Sequence, residues 1–432
     1  MKSKTIVLIA LLSVNLFSYS QENIMELSLT AHNGYGPFDM KFGGMKMMVM
    51  EGFLEKSKIP EDFSVILFGI IETNDYQNVY QKYISGRITK DKYEEYQKAW
   101  NWIPDTLNLS KTPLKTQILF AYGEDTEGNI KIVVDANNNL DLRDDKLFIP
   151  IEEEVFNTVE GAKLDSLVHN YSVDVFFETY INNNIVPVNV PFLVYCHKEE
   201  TAISFMYNFS QYSTTQFKGE EIAVCSNDFT FNNKSIRVAR VTDLKDGEKA
   251  NKEEIFINSE YIQIKDEVFK ILGVNTVRNT LVLERIDLSQ MPSFYTQVGF
   301  KAYPFQGEEF TTGKNISLDA LKGKYVLLDF WASWCGPCIK EFPTYKELYS
   351  KTDRSKFEII GIAGGNTTPD ALKKLIDQHE IDWLQILSDE TVKTYGISSY
   401  PTILILDTEG KIISKDLRGR ELEEKILSLL KE

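Results

Sequence analysis

At 432 residues the chain exceeds one ordinary domain, and at roughly 150 residues per domain it divides into two or three. Its 43% apolar and 25% charged content are those of a globular protein, and four cysteines are too few for a disulfide scaffold. A net charge of −16 excludes a nucleic-acid-binding surface, which needs a basic face, and nucleic acid is not among the expected partners.

Residues 1–20 read as a signal peptide. Lys2 and Lys4 form a basic start, Ile6 to Phe17 a short apolar run, and Ser18-Tyr19-Ser20 a small-residue cleavage site ahead of Gln21. An uncleaved anchor is the alternative, although the run is short for a membrane span. The expectation is a protein exported to the periplasm or cell envelope and soluble after cleavage.

Residues 21–290 are predicted as one or two strand-rich α+β domains of unknown role. Phe63 to Ile71 is a buried-strand run, and Tyr76 to Trp102 carries helical spacing closed by Pro104. Ile118–Gly123 and Ile130–Asp135 read as a strand pair around Glu127-Gly128-Asn129. From Ser172 to Ile286, short alternating runs separated by Asn, Asp and Gly predict antiparallel sheet. Asp135, Asn137, Asn139 and Asp141 place oxygens at alternate positions, as at the start of a calcium loop, but Leu140 stands where a glycine belongs and no helix pair flanks it. Such a run is equally a turn. Cys196 and Cys225 each end an apolar run, either as a bridge or as two buried thiols. His32, His169, His197 and His379 are scattered and suggest no metal cluster.

After a boundary at 288–304 the pattern changes. Tyr325–Phe330 is a buried strand, Ile339–Tyr349 a helix, Phe357–Ile362 a strand, and Pro369–His379 a helix capped by Thr368. A short helix at Asp389–Tyr395 and strands at Thr402–Leu406 and Lys411–Ser414 follow, then an amphipathic helix at Glu421–Leu430. Strands alternating with helices predict a mixed central sheet covered on both faces.

Trp334-Cys335-Gly336-Pro337-Cys338 lies between the first of these strands and its helix. At a helix start the first sulfur meets unpaired N–H groups and the positive end of the dipole, which stabilise a thiolate. Cys335 is then the attacking thiol and Cys338 the resolving one. A half zinc site would need two further ligands, and His379 has no Cys or His partner nearby. A merely structural bridge fits poorly with the flanking Trp331 and Trp334.

Residues 299–432 resemble the thioredoxin superfamily, most closely its exported TlpA-like and ResA-like branch. The match runs from Leu321 through Asp329-Phe330-Trp331-Ala332-Ser333-Trp334-Cys335-Gly336-Pro337-Cys338 to Glu341-Phe342-Pro343. It resumes at Tyr395-Gly396-Ile397 and Tyr400-Pro401-Thr402 and closes at Asp407–Ile412. The resemblance implies an α/β thioredoxin fold in which Pro401 is cis and Tyr400 and Trp334 contact substrate. It implies a buried Asp329 beneath the disulfide and a buried Glu341, either suited to accept the proton of Cys338. The lysine that partners the buried Asp in thioredoxins has no match in Glu358–Gly365. The Gly336-Pro337 pair is of the reducing type. The implied partners are disulfide-containing exported proteins and a membrane electron donor, and the implied activity is protein disulfide reduction or isomerisation with no cofactor beyond the redox disulfide. A thiol peroxidase would need a Thr shortly before the reactive Cys, where Ala332-Ser333-Trp334 stands. In a third reading the N-terminal region is a binding module with the redox domain accessory.

Overall fold

The structure is a computed structural model that describes residues 23–39, 43–44, 46–48, 55, 58–100, 102–105, 107–152, 155, 166–167, 170–198, 203–226, 236–242, 244–245, 248–275 and 278–431. The signal-peptide segment, His169 and the side chains of Cys196 and His197 lie outside what is described.

The N-terminal region opens with β1 (Ile24–Ser28), β2 (Thr30–Asn33), β3 (Gly43–Gly44), β4 (Lys46–Met48) and β5 (Phe63–Glu72). Helices α1 (Asp75–Ile84) and α2 (Lys90–Ala99) follow where one helix is expected from the spacing. The break is local chemistry. Ser85 closes α1, Gly86 takes a positive φ of 73°, and the Thr89 side chain caps α2 by accepting the N–H of Lys92.

Then come β6 (Gln117–Asp125), β7 (Ile130–Val134), β8 (Ile151–Glu152), β9 (Val173–Ile181), β10 (Asn184–Lys198), β11 (Ile203–Phe209) and β12 (Gln211–Phe217). The region ends with β13 (Glu220–Ser226), β14 (Ile236–Arg240), β15 (Ile255–Ile257), β16 (Tyr261–Ile264), β17 (Glu267–Asn275) and β18 (Thr280–Ile286).

These strands form two sandwiches. Sheet β4-β5-β6-β7 packs on the sheet of β3, β11, β10, β8 and β9, through Ile118, Phe120, Ile132, Phe177, Phe192 and Phe205. Sheet β15-β14-β13-β12-β2 packs on β1-β18-β17-β16, through Ile222, Val238, Ile262, Phe269, Ile271 and Leu283. Alternating side chains on each strand supply these inner faces. Cys196 and Cys225 sit on strands of different sheets, β10 and β13.

The C-terminal region starts with a small hairpin, β19 (Gln306–Glu308) and β20 (Asn315–Ser317). The main elements are β21 (Tyr325–Trp331), α3 (Gly336–Lys351), β22 (Phe357–Ala363), α4 (Pro369–His379), β23 (Leu384–Leu387), α5 (Asp389–Thr394), β24 (Thr402–Leu406), β25 (Ile412–Lys415) and α6 (Gly419–Leu429). The sheet order is β23-β22-β21-β24-β25, with the first three strands parallel and the last two antiparallel. Leu327, Ile359, Ile403 and Ile405 face α3, α4 and α6, while Leu328, Phe330, Ile362 and Leu404 face α5 and the 302–321 segment. This is the thioredoxin-like fold, with β21 central and buried on both sides.

The same tetrapeptide makes a hairpin turn in each region. In Asp125-Thr126-Glu127-Gly128 and Asp407-Thr408-Glu409-Gly410 the Asp carboxylate accepts N–H groups two and four residues on, and the Gly takes φ 79°.

The two regions are tied together closely. The Gln297 side chain, 4% exposed, accepts the N–H of Tyr261 at 2.8 Å and donates to its carbonyl at 2.7 Å, as a neighbouring strand would. Tyr295 Oη donates to the Ser259 carbonyl at 2.9 Å. Lys415 pairs with buried Glu260, and Lys252–Glu421 and Lys425–Glu253 add surface ion pairs.

Gly69 lies opposite Phe120 in the β5–β6 ladder, and a Cβ there would stand 2.0 Å from the buried Phe120 ring. Gly69→Ala is therefore expected to cost about 1–3 kcal/mol by overpacking, read as a lower chemical-denaturation midpoint. An unchanged midpoint would show that the ring has somewhere else to go.

Candidate active site

The site is built where β21 gives way to α3. Cys335 is the N-cap residue, and its Sγ accepts the N–H of Cys338 at 3.2 Å. The sulfurs of Cys335 and Cys338 are joined in a disulfide, and both residues are almost wholly buried. Pro337 stands in the first turn, where its missing N–H costs nothing. The first sulfur therefore faces the N–H-rich end of a 16-residue helix, the environment that stabilises a thiolate.

The loop over the disulfide is held from three sides. The Ser333 N–H donates to Thr367 Oγ1 at 2.9 Å, Trp334 Nε1 to the Gly365 carbonyl at 2.7 Å, and the Cys335 N–H to the Ala332 carbonyl at 2.9 Å. Trp334 is 67% exposed and meets the Tyr400 ring edge-on at 5.7 Å. Gly365 is required here: its φ is 63°, and a Cβ would lie 2.8 Å from the Tyr400 ring. The Tyr400–Pro401 peptide is cis. Exposed Trp334 and half-buried Tyr400 thus form an aromatic ledge beside a buried disulfide.

Behind the disulfide, Asp329 is 1% exposed in the middle of β21. Neither carboxyl oxygen, nor the neighbouring Tyr345 hydroxyl, closes a hydrogen bond of full geometry. Burial pushes the Asp329 carboxyl up to about 8, and the negative charge of Glu341 acts in the same direction. The Tyr345 hydroxyl and the Arg418 guanidinium oppose the rise. Tyr345 itself is raised further by its own burial and by Asp329.

Glu341 is half-buried rather than buried. Its Oε2 accepts the N–H of Gly419 at 3.1 Å, so this carboxylate serves the N-terminus of α6. Arg418, beside it, donates from Nη2 to the Pro401 carbonyl at 3.0 Å. One cation thereby touches the cis-proline segment while its field reaches Asp329, where the sequence offers no matching lysine.

Two of these residues escape the motif reading. Tyr345 follows Cys338 by seven positions, so helical periodicity alone puts both on the inner face of α3 with Phe342. Arg418 carries no local signal, because its role exists only once β25 returns beside Pro401.

The 135–145 segment is organised by its own hydrogen bonds. Asp135 accepts the N–H groups of Asn139 and Leu140, and the side-chain amides of Asn137 and Asn139 donate to Asp144. Asp141 pairs with Arg143. Among the described residues no cluster of three or more His, Cys, Asp or Glu is arranged to hold a metal ion. The His379 ring packs edge-on against Phe342.

Residues 298–415 match the AhpC/TSA family. A thiol-disulfide oxidoreductase ResA from Bacillus thuringiensis subsp. konkukian is 36% identical over 121 residues, 28% of this chain and 69% of the relative. The ResA of Bacillus subtilis is 33% identical over 107 residues, 24% of this chain and 59% of the relative. The crystal structure of the thioredoxin domain of a thiol-disulfide oxidoreductase from Bacteroides vulgatus is 32% identical, covering 31% of this chain and 97% of that one, with a TM-score of 0.29. The matches fall on the redox region, and through it the chain belongs to the ResA/TlpA-like thiol–disulfide oxidoreductases of the thioredoxin superfamily.

Proposed function

We propose that the protein acts outside the cytosol, exchanging its Cys335–Cys338 dithiol with disulfides of exported proteins. The observation that carries this reading is the cystine at a helix start, flanked by the Trp334–Tyr400 ledge and backed by a buried carboxyl.

In the reducing direction, the Cys335 thiolate attacks one sulfur of a substrate disulfide. A mixed disulfide forms and one substrate thiolate leaves. Cys338 gives up its proton and attacks Cys335 Sγ. The enzyme disulfide forms, the second substrate thiolate leaves, and two electrons have passed to the substrate. An external dithiol donor, in this reading a membrane protein, reduces the enzyme again. Reduction fits the Gly336-Pro337 pair, and isomerisation uses the first attack followed by a different substrate thiolate attacking the mixed disulfide, which forms the new substrate disulfide and releases the Cys335 thiolate.

The chain's own groups divide the work. The helix N-terminus stabilises the Cys335 thiolate. Asp329 accepts the Cys338 proton in the fraction of molecules where it is ionised, a fraction that grows as pH approaches 8, and Glu341 serves as a second carboxylate at the same face of α3. Trp334 and the Tyr400 backbone border an extended substrate segment beside Pro401. Export is supported by the Lys2/Lys4 start, the apolar run to Phe17 and Ser18-Tyr19-Ser20. Among the described residues no helix is long and apolar enough to cross a membrane.

Asp329 also links the site to stability. Its carboxyl holds a proton in the folded disulfide form up to about pH 8, while the unfolded chain releases it near 3.8. Between those values the folded state binds more protons, so stability falls as pH rises, by up to about 6 kcal/mol at about 1.4 kcal/mol per pH unit. Asp329→Asn is expected to unfold at higher temperature than the wild type at pH 8.5, with a smaller difference at pH 4.5. Equal shifts at both values would show that this carboxyl is ionised throughout.

Cys338→Ser is expected to accumulate mixed disulfides through Cys335 in cells, identifiable by mass spectrometry. Cys335→Ser should reduce an insulin disulfide no faster than the uncatalysed reaction. Retained turnover in Cys335→Ser would sink the exchange mechanism.

A further inference from the structure

A cleft of about 760 Å³ opens where the N-terminal region meets the redox domain. One wall is the redox domain itself, from Thr394 to Ser399 with Pro401, Thr402 and Arg418. The opposite wall is β15 with Asn258 and Arg237, and residues 295–298 form its base. The segment that borders the disulfide is therefore continuous with a groove that the N-terminal region completes. The Gln297–Tyr261 and Lys415–Glu260 contacts hold the two walls in place.

The cleft is lined by four acids, Asp39, Glu253, Glu260 and Asp416, and four bases, Arg237, Lys252, Lys415 and Arg418, so its net charge cancels and only the pairing is uneven. Lys252, Glu253, Glu260 and Lys415 are each engaged in an ion pair. The Asp416 carboxylate receives the Ile403 N–H. The two arginines bind backbone carbonyls instead of carboxylates: Arg418 the Pro401 carbonyl and Arg237 that of Asp39. Arg237 is the more informative. It is 8% exposed, its guanidinium lies over the Phe38 ring at 5.1 Å, and Nη1 is anchored on Asp39. Its buried Nε has no acceptor among the described residues. A guanidinium fixed through one nitrogen, with its Nε edge unused, is organised for two-point recognition of a carboxylate. Among the described residues no carboxylate stands within ion-pair distance of this arginine, although Asp39 lines the same cleft, and a guanidinium so placed gains from a carboxylate that arrives.

β15 is the outermost strand of its sheet, so the edge turned away from β14 has no strand partner among the described residues. Its outward backbone groups are largely spent within the chain: the Ile257 N–H donates to the Glu260 carboxylate, the Ile257 carbonyl accepts the Glu260 N–H, and the Ile255 N–H donates to the Lys252 carbonyl, so this wall offers side chains, half-buried Phe256 among them, more than an edge.

We propose that this cleft docks an acidic segment of the disulfide-bearing polypeptide, with Arg237 receiving a carboxylate side chain. This rests on the exchange reading above and narrows its substrate class. Arg237 acts on binding and the sulfurs on chemistry, so selection falls on KM more than on kcat.

The test uses the full chain and one cystine-containing peptide carrying a Glu-rich, a Gln-rich or a Lys-rich extension, all C-terminally amidated to remove the terminal carboxylate. The wild type is expected to show a KM for the Glu-rich peptide about tenfold below that for the Gln-rich one, and the preference should shrink as salt is raised. Arg237→Gln should bring the ratio near one, while Arg237→Lys, which keeps the charge but loses the fork, should keep part of it. Matching unfolding midpoints establish that the variants are folded. If Arg237→Gln does not fold, the Lys variant and the salt series carry the test. Equal KM values in the wild type, a preference indifferent to salt, or one unchanged in a folded Arg237 variant would overturn the proposal. Reduction of all three peptides alike removes this inference alone, whereas reduction of none removes the exchange reading beneath it.

Discussion

The site depends on one unfavourable placement, a carboxyl group buried in the central strand of an apolar sheet. Asp329 has Leu328 and Phe330 on either side in sequence and Gly361 and Ile403 opposite in the ladders. Ionising it there is costly, which holds its proton into the range where thiols titrate. A surface carboxylate would be ionised long before a thiol lost its proton and would make a poor exchange partner. The same burial excludes water from the inner sulfur, so the proton of Cys338 has few places to go. In the proposed exchange the helix dipole and the buried carboxyl act on different sulfurs: one favours the anion on the outer sulfur, and the other, once ionised, collects the proton of the inner one.

The surroundings moderate that cost without removing it. Arg418 stabilises the charged form from the far side of the cis-proline, and Tyr345 presents a hydroxyl from the face of α3. Glu341, spent on the first N–H of α6, keeps a negative charge near enough to resist ionisation of Asp329. The cis-proline, the last helix and the buried carboxyl are thereby coupled through Arg418, Gly419 and Glu341, three residues that no single local motif joins.

Legibility followed the range of the forces involved. Strong local signals were readable: the Thr368 cap with Pro369 behind it, the Asp-x-x-Gly turns, and the unbroken apolar run of β21. The cystine site was readable because its chemistry occupies five adjacent residues. One helix became two because Gly86 and Thr89 outweighed a continuous apolar spacing. The first half of β10 hid behind Pro187 and Pro191. It pairs with β9 and not with β11, and both prolines turn their missing N–H away from β9: Pro187 toward a side with no strand partner among the described residues, Pro191 toward Ser210, whose N–H donates to the Pro191 carbonyl. β12 hid because Gln, Ser and Thr fill it, and only its ladder with β13 and β2 makes it a strand. The burial of Glu341 was overread, since a motif specifies the residue but not the helix that arrives to use it.

Arg237 marks the limit of that reading. In the sequence it is one basic residue in a short alternating strand. Only the return of residues 295–298 across β16, and the docking of the redox domain against β15, turn it into the wall of a cleft that continues from Pro401. An isolated thioredoxin-like domain would present its cis-proline segment to bulk solvent and could select partners only by the few atoms beside the disulfide. Here the contacts that fix the N-terminal region extend that surface by a second, charged wall. The relatives match about a quarter of the chain, the part that carries the sulfurs. In the docking proposed here, what the remainder adds at the site is shape and charge around the disulfide.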